Sequence, residues 1–173
     1  DGGVYQGITQ GLDDPADPST GLAHIGAGLL SAASQDALFF SASESLFLQA
    51  EAAMNGDIAG VALDLFQSGI TESFNLLGIG GDAAGYIASN AATVDLESIM
   101  NEKYVALHAT DGLEIYIEHN RTGFPNPPLP TLTTDSHRPY RLMYPQSEFV
   151  GNSANVINIS RADVFVPSLF YQH

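Results

Sequence analysis

The sequence predicts a mainly α protein: tetratricopeptide-like helical hairpins, then an irregular C-terminal segment containing short strands. Three observations carry this. A capped amphipathic run, "SASESLFLQAEAAMNGD", occupies residues 41–57, and a second run of apolar residues at helical spacing follows it directly. Beyond Gly123 the chain turns proline-rich and extended, with alternation replacing the helical period.

Residues 1–40 form a loop-rich lead-in, of which "GLDDPADPSTG" is the clearest loop. The small-residue run "GLAHIGAGLLSAAS" reads equally as a loose helix or as buried coil. The helical part, 41–123, opens on Ser41 and Glu44, which match a capping box. Leu46, Ala50 and Ala53 share one helix face, with Phe47 and Met54 beside them. Gly56 is a stop signal and Asp57 a suitable N-cap for the second helix, which repeats apolar residues at Ile58, Val61, Leu65, Phe66, Ile70, Phe74 and Leu77. Two helices joined by about two residues are the unit of bundles and of tetratricopeptide-type repeats. Ala50 would let the pair approach closely. A glycine-rich link, "GIGGDAAG", precedes a short helix around Tyr86 to Asn90. A longer helix is expected from Asp95 to about Ala109, broken at Asp111 and Gly112. Another runs from Leu113 to about His119 and is stopped by "GFP". In the last part, 124–173, "PNPPLPTLTTD" is extended, and "RPYRLMYP" and "NVINISRADVFVP" suggest two short strands.

Composition removes several function classes. Twenty acidic residues against five basic ones give a net charge of −15, and Lys103 is the single lysine. Binding nucleic acid requires clustered cations to displace counterions from phosphate, so that class is excluded. The same charge opposes adsorption to anionic lipid. With no cysteine there is no disulfide, thiolate nucleophile or thiolate metal site. The sequence has no run of about 18 apolar residues, the length needed to span a bilayer as a helix. The opening "DGGVYQG" has neither an initiator Met nor a signal peptide, which implies a processed start or a part of a longer chain.

Candidate chemistry is sparse. "GIGGDAAG" lacks the Gly-Lys-Ser/Thr ending that grips phosphate and reads as a helix–helix linker. The five histidines have no zinc spacing, and His108 and His119 fall on different helices. Glu114 and Glu118 form an i,i+4 pair beside His119, which reads as a solvated face. Asp13, Asp14 and Asp17 could offer hard oxygen ligands to calcium, but the loop lacks the EF-hand order, and surface turn chemistry is the default. No cofactor is otherwise expected. No serine sits in a nucleophile elbow, so an enzyme reading would rest on Asp/Glu pairs alone. Arg121, just past a helix and before "TGFP", reads as a cap on helix-end carbonyls.

Four stretches in order, "ESLFLQAEAAMNGD", "IMNEKYVALHATDGLEIYIEHNRTGFP", "RPYRLMYPQSEF" and "GNSANV", resemble the SusD-like (SusD/RagB) outer-membrane nutrient-binding lipoproteins of Bacteroidetes. The motif residues are Glu51 within Ala50–Ala52, Ile99, Lys103, Tyr104, Arg121 to Pro125, Arg141, Tyr144, Pro145, Glu148, Asn152 and Asn155. Tyr104 and Tyr116 stand where that family often has tryptophan, which this chain lacks.

The resemblance implies a mostly helical, tetratricopeptide-like protein, lipid-anchored at the cell surface. It implies that the protein binds glycans or other nutrients and passes them, unconverted, to a SusC-like TonB-dependent transporter. Family chains are several times longer, so residues 1–173 are expected to be a single domain or the C-terminal part of a larger one. Glu51, Lys103, Arg121, Arg141, Tyr144 and Glu148 are expected to be structural, with Arg121, Arg141 and Glu148 tying helices to the C-terminal coil.

Sugar recognition needs an aromatic face with flanking polar groups. Tyr5 with Gln6, followed by Asp13 and Asp14, is the best such set outside the helical motifs. Two alternatives remain open: a periplasmic glycoside hydrolase using Asp/Glu carboxylates, and a helical-repeat scaffold that binds only proteins.

Overall fold

The computed structural model describes residues 23, 25–30 and 32–167. Six α-helices follow one another: α1 (Ala42–Asn55), α2 (Ala62–Leu76), α3 (Ala83–Asn90), α4 (Leu96–Leu107), α5 (Gly112–Thr122) and α6 (Gln146–Gly151). Two compact units result. The described part of the first is 25–30, 32–119 and 123–126; that of the second is 23, 120–122 and 127–167.

The helical unit is built on the expected hairpin. Ser41 Oγ accepts the Glu44 N–H at 3.0 Å, and α1 ends where Gly56 takes φ 81° and donates to the carbonyls of Ala52 and Ala53. The start of α2 differs from expectation. Asp57 is not its N-cap; Val61 is, without a side-chain bond, and the connection lengthens to residues 56–61. Gly60 has φ 155°, which no helix can continue through. Ile58 and Val61 therefore fall outside the helix and are exposed.

Packing centres on Phe47 and Ala50 of α1, Phe66 and Ile70 of α2, and Ile99 and Met100 of α4, all buried. The Phe47 and Phe66 rings lie 6.1 Å apart at 55°, a favourable tilted arrangement. Gly69 lets α2 approach this ring: a Cβ there would stand 2.8 Å from Phe47 Cε1.

The glycine-rich link forms a 3-10 turn (Gly80–Asp82) leading into α3. Asp95 caps α4 in a reciprocal box with Ser98, and Asp111 caps α5 through the Glu114 N–H. Of the stretch "GLAHIGAGLLSAAS", the described residues form a turn in which Leu29 and Leu30 donate to Gly26 O. They make neither helix nor buried coil, and Ile25 and Leu30 are largely exposed.

Tyr86 of α3 packs its ring 5.3 Å from that of Phe74 and donates its hydroxyl to Glu102 of α4 at 2.7 Å. Burial, together with the hydrogen-bonded and charged Glu102, pushes the phenol up to about 12. Folding therefore favours the protonated ring. That contribution is complete below the ordinary tyrosine value of about 10 and disappears as pH rises through about 12. Phenolate absorbance of the wild type should contain one late-titrating tyrosine that is missing in Tyr86→Phe. Glu102→Gln should move that step back toward 10; an unmoved step would dissociate the shift from the pair.

In the C-terminal unit, the two expected strands, 138–145 and 155–167, are corrected: among the described residues no strand forms. Pro139 and Pro145 remove donors from the first segment, and the second winds into a 3-10 turn at Ala162–Phe165. The two segments meet where Tyr140 N–H donates to Val164 O at 2.8 Å, without forming a ladder. The proline-rich stretch is held in its extended form by Arg138, which donates to Pro127 O at 2.8 Å and Pro128 O at 2.9 Å. The short helix α6 begins right after Pro145 and carries no sequence signal longer than a turn.

Candidate functional site

Charged chemistry gathers in two places, one per unit. In the helical unit, Lys103 of α4 is buried and donates to Glu114 Oε1 at 2.8 Å and Glu118 Oε1 at 2.6 Å, both on α5. The expectation of a solvated face is thus overturned. One turn of α5 places both carboxylates on the side facing α4, and Glu118 is itself buried. Burial works against the ammonium, but hydrogen bonds to Glu114 and Glu118 and their charges outweigh it, and the Lys103 pKa is raised. Glu44 of α1, also buried, has its carboxyl pushed up by desolvation against the pull of Lys103 and the Ser41 backbone. Next to this cluster, His119 Nδ1 pairs with Pro125 O at 2.8 Å, and the His108 ring stands edge-on to Tyr104 at 5.0 Å. The charged groups of this cluster face one another, with Lys103 and Glu118 buried and Glu114 partly exposed.

The second place is open. In the C-terminal unit, Thr134, Asp135, Ser136, His137, Arg161, Ala162 and Phe165 line a surface cleft of about 560 Å³. Each wall is fixed locally. On one wall, Thr133 Oγ1 donates to Asp135 Oδ2 at 3.1 Å and accepts from the Asp135 N–H at 3.2 Å. His137 Nδ1 bonds the Arg138 carbonyl at 2.8 Å, and its ring packs 5.2 Å from Tyr140 and 5.5 Å from Phe165. On the other wall, Asp163 accepts from the Ser160 N–H and hydroxyl at 2.7 and 2.8 Å, which winds the 3-10 turn. The turn puts Arg161 over Phe165, its guanidinium carbon 5.6 Å from the ring centre.

Arg161 and Asp135 join the walls with a 2.5 Å ion pair. The hydrogen bond from Arg161 holds the Asp135 carboxyl below its ordinary value, and the Ser160 hydroxyl does the same for Asp163. The cleft therefore offers an ionised acceptor, a cationic donor, hydroxyls and two rings, which is equipment for binding polar ligands with an apolar face.

The residues singled out in the sequence are distributed as follows. Tyr5, Gln6, Asp13, Asp14 and Asp17 lie outside the described residues. Glu51 is half-buried on α1, and Lys103 is in the buried cluster. Arg121 is in the last turn of α5. In the C-terminal unit, Arg141 stacks its guanidinium 5.3 Å from the Tyr144 ring centre, and Glu148 of α6 accepts from Asn152 at 3.1 Å. Among the described residues, no three His, Asp or Glu are grouped to hold a metal, and no helix is long and apolar enough to cross a membrane. The cleft residues gave no motif: its walls come from 133–137 and 160–165, and the run containing Phe165 read only as a short strand.

Comparison with known proteins gives the scaffold a lineage. Residues 1–145 match a family described as "Starch-binding associating with outer membrane". Among solved structures, a chitin-binding protein superposes with a TM-score of 0.54 and 26% identity, over 66% of this chain and 28% of its own. A SusD homologue from Bacteroides fragilis does so with a TM-score of 0.54 and 28% identity, over 69% and 30%. A second SusD homologue from that organism shares the fold at a TM-score of 0.54 and 24% identity, over 65% and 29%. This chain thus spans under a third of the length of each of these structures. No curated protein matches it. The family match extends over residues 1–145 of 173, well beyond half of the sequence, and the chain belongs to the SusD-like family.

Proposed function

We propose that this chain is part of a non-enzymatic outer-membrane protein that binds glycans and delivers them to a SusC-like TonB-dependent transporter. In this reading a lipid anchor holds the protein at the cell surface of a Bacteroidetes bacterium. The observation that carries the reading is the match of residues 1–145 to a starch-binding, outer-membrane-associated family. Likeness to a chitin-binding protein at 26% identity supports a saccharide as the nutrient. The alternative, glycoside hydrolysis, would need two carboxylates flanking a bond, one free to donate and the other to accept a proton. Glu114 and Glu118, the i,i+4 pair singled out in the sequence, both hold Lys103 and are not free for that chemistry.

The test is to incubate the purified chain with maltooligosaccharides and chitooligosaccharides, measure binding by calorimetry, and analyse the sugars recovered. Binding with every oligomer recovered at its original length is the expected result. New reducing ends that vanish on a single Asp or Glu substitution would overturn the reading in favour of a hydrolase. Co-purification of the full-length protein with a large β-barrel partner tests the delivery step separately.

A further inference from the structure

We propose that the Asp135–Arg161 cleft is a saccharide site that takes a neutral sugar ring through two adjacent hydroxyls. This assignment rests on the glycan-binding reading and adds to it where a sugar sits and which sugars are refused. A hydroxyl both donates and accepts, so two neighbouring hydroxyls can meet a carboxylate and a guanidinium side by side. Asp135 and Arg161 offer that pairing, held together at 2.5 Å, with the Arg161 side chain 71% exposed. A guanidinium has five N–H donors in a fixed fork, so its bond to Asp135 leaves others for a ligand. Thr133 orients the Asp135 carboxylate from behind, which limits the reorganisation needed on binding.

His137 is fixed at the cleft wall: a backbone carbonyl can only accept, so its Nδ1 donates to Arg138 O at 2.8 Å. Phe165, half-buried beneath the Arg161 guanidinium, adds apolar surface to the wall beside which the C–H groups of a sugar can pack, and Ser136 is an exposed lining residue. The volume of about 560 Å³ falls within the range typical of small-ligand clefts, roughly 300–1,000 Å³.

Charge decides the class of sugar. The two charged groups that line the cleft, Arg161 and Asp135, neutralise each other. An acidic sugar would bring its carboxylate up to Asp135, which already holds the guanidinium of the cleft. A neutral ring has no such cost.

The experiment compares the wild-type chain, Asp135→Ala, Arg161→Gln and Ser136→Trp by calorimetry against maltoheptaose, chitohexaose and oligogalacturonate. Circular dichroism monitors folding, and Ser136→Trp fills the cleft from an exposed position without removing any bond described here. The wild type should bind at least one neutral oligomer and prefer it to oligogalacturonate. Each substitution should weaken that binding about tenfold or more, the loss expected for a hydrogen bond to a charged group or a blocked ring site. If the wild type binds a neutral oligomer and Ser136→Trp and Arg161→Gln bind it equally well, the cleft assignment falls while the glycan-binding reading stands. Tighter binding of oligogalacturonate overturns the neutral-sugar assignment. If the wild type binds no saccharide, both fall together.

Discussion

Replacing Lys103 by methionine should destabilise the protein by about 3–5 kcal/mol, the cost of breaking a buried ion pair from one side. Methionine keeps the length and apolar stem, so the loss is electrostatic and not a cavity. Glu114 and Glu118 on α5 then lose the Lys103 ammonium. Glu114, whose side chain is 27% exposed, can rehydrate more readily than Glu118, at 7%. The same physics predicts that adding Glu114→Gln to Lys103→Met, and then Glu118→Gln as well, recovers part of the loss, because each step removes a carboxylate charge left without the ammonium. Urea unfolding of the three proteins measures both steps. A single-variant cost below about 1 kcal/mol would place the cluster in the hydrated class of surface pairs. The pH dependence follows from the raised lysine value. The contribution of Lys103 is complete below the ordinary lysine pKa of about 10.4 and is lost as pH rises through its higher folded value. For Glu44, raised by burial, the contribution is present in acid and is lost as pH rises from the ordinary glutamate value through its folded one.

This cluster also marks where sequence reasoning stops. Helix positions were legible because caps act within one turn: Ser41 with Glu44, Asp95 with Ser98 and the Gly56 and Gly123 stops all lie inside a few residues. The role of Glu114 and Glu118 was not, because an i,i+4 acidic pair looks the same whether it faces water or a lysine. Their cation lies 11 and 15 residues away on another helix. Alternation in 138–145 and 155–167 suggested strands for a similar reason. Period two describes an extended chain, but a strand also needs a ladder of partners for its N–H and C=O groups, and here the segments form none. The length of the α1–α2 connection depended on the backbone angle of Gly60, which a list of apolar positions does not encode. The cleft is the most non-local feature: Asp135 and Arg161 are 26 residues apart in an extended, proline-rich part of the chain. The family resemblance came from ordered motifs and so described the scaffold without pointing to this ligand-sized space.

Truncating Phe47 to alanine should cost about 3–5 kcal/mol, the range for removing a buried aromatic side chain. Its ring is 1% exposed and touches Phe66, so no solvent-facing position is available to it and the vacated volume can close only if α1 and α2 move together. Gly69 gives this prediction a sharper form. In the wild type, Gly69→Ala has two opposed effects. Alanine favours a helix interior over glycine by about 1 kcal/mol. Against this, its Cβ would stand 2.8 and 2.9 Å from two carbons of the Phe47 ring. Overpacking of that kind costs about 1–3 kcal/mol, and neither a rigid ring nor the α2 backbone yields cheaply, so the net effect should be destabilising. Once Phe47 is alanine the clash is gone while the helix preference remains, and the methyl group now fills part of the void. Gly69→Ala should then stabilise the Phe47→Ala protein by up to about 1 kcal/mol, reversing its sign. Unfolding free energies for the wild type, both single variants and the double variant close this cycle. If the two substitutions simply add, helix α2 does not rest on the face of the Phe47 ring, and the hairpin at the centre of the fold is packed some other way.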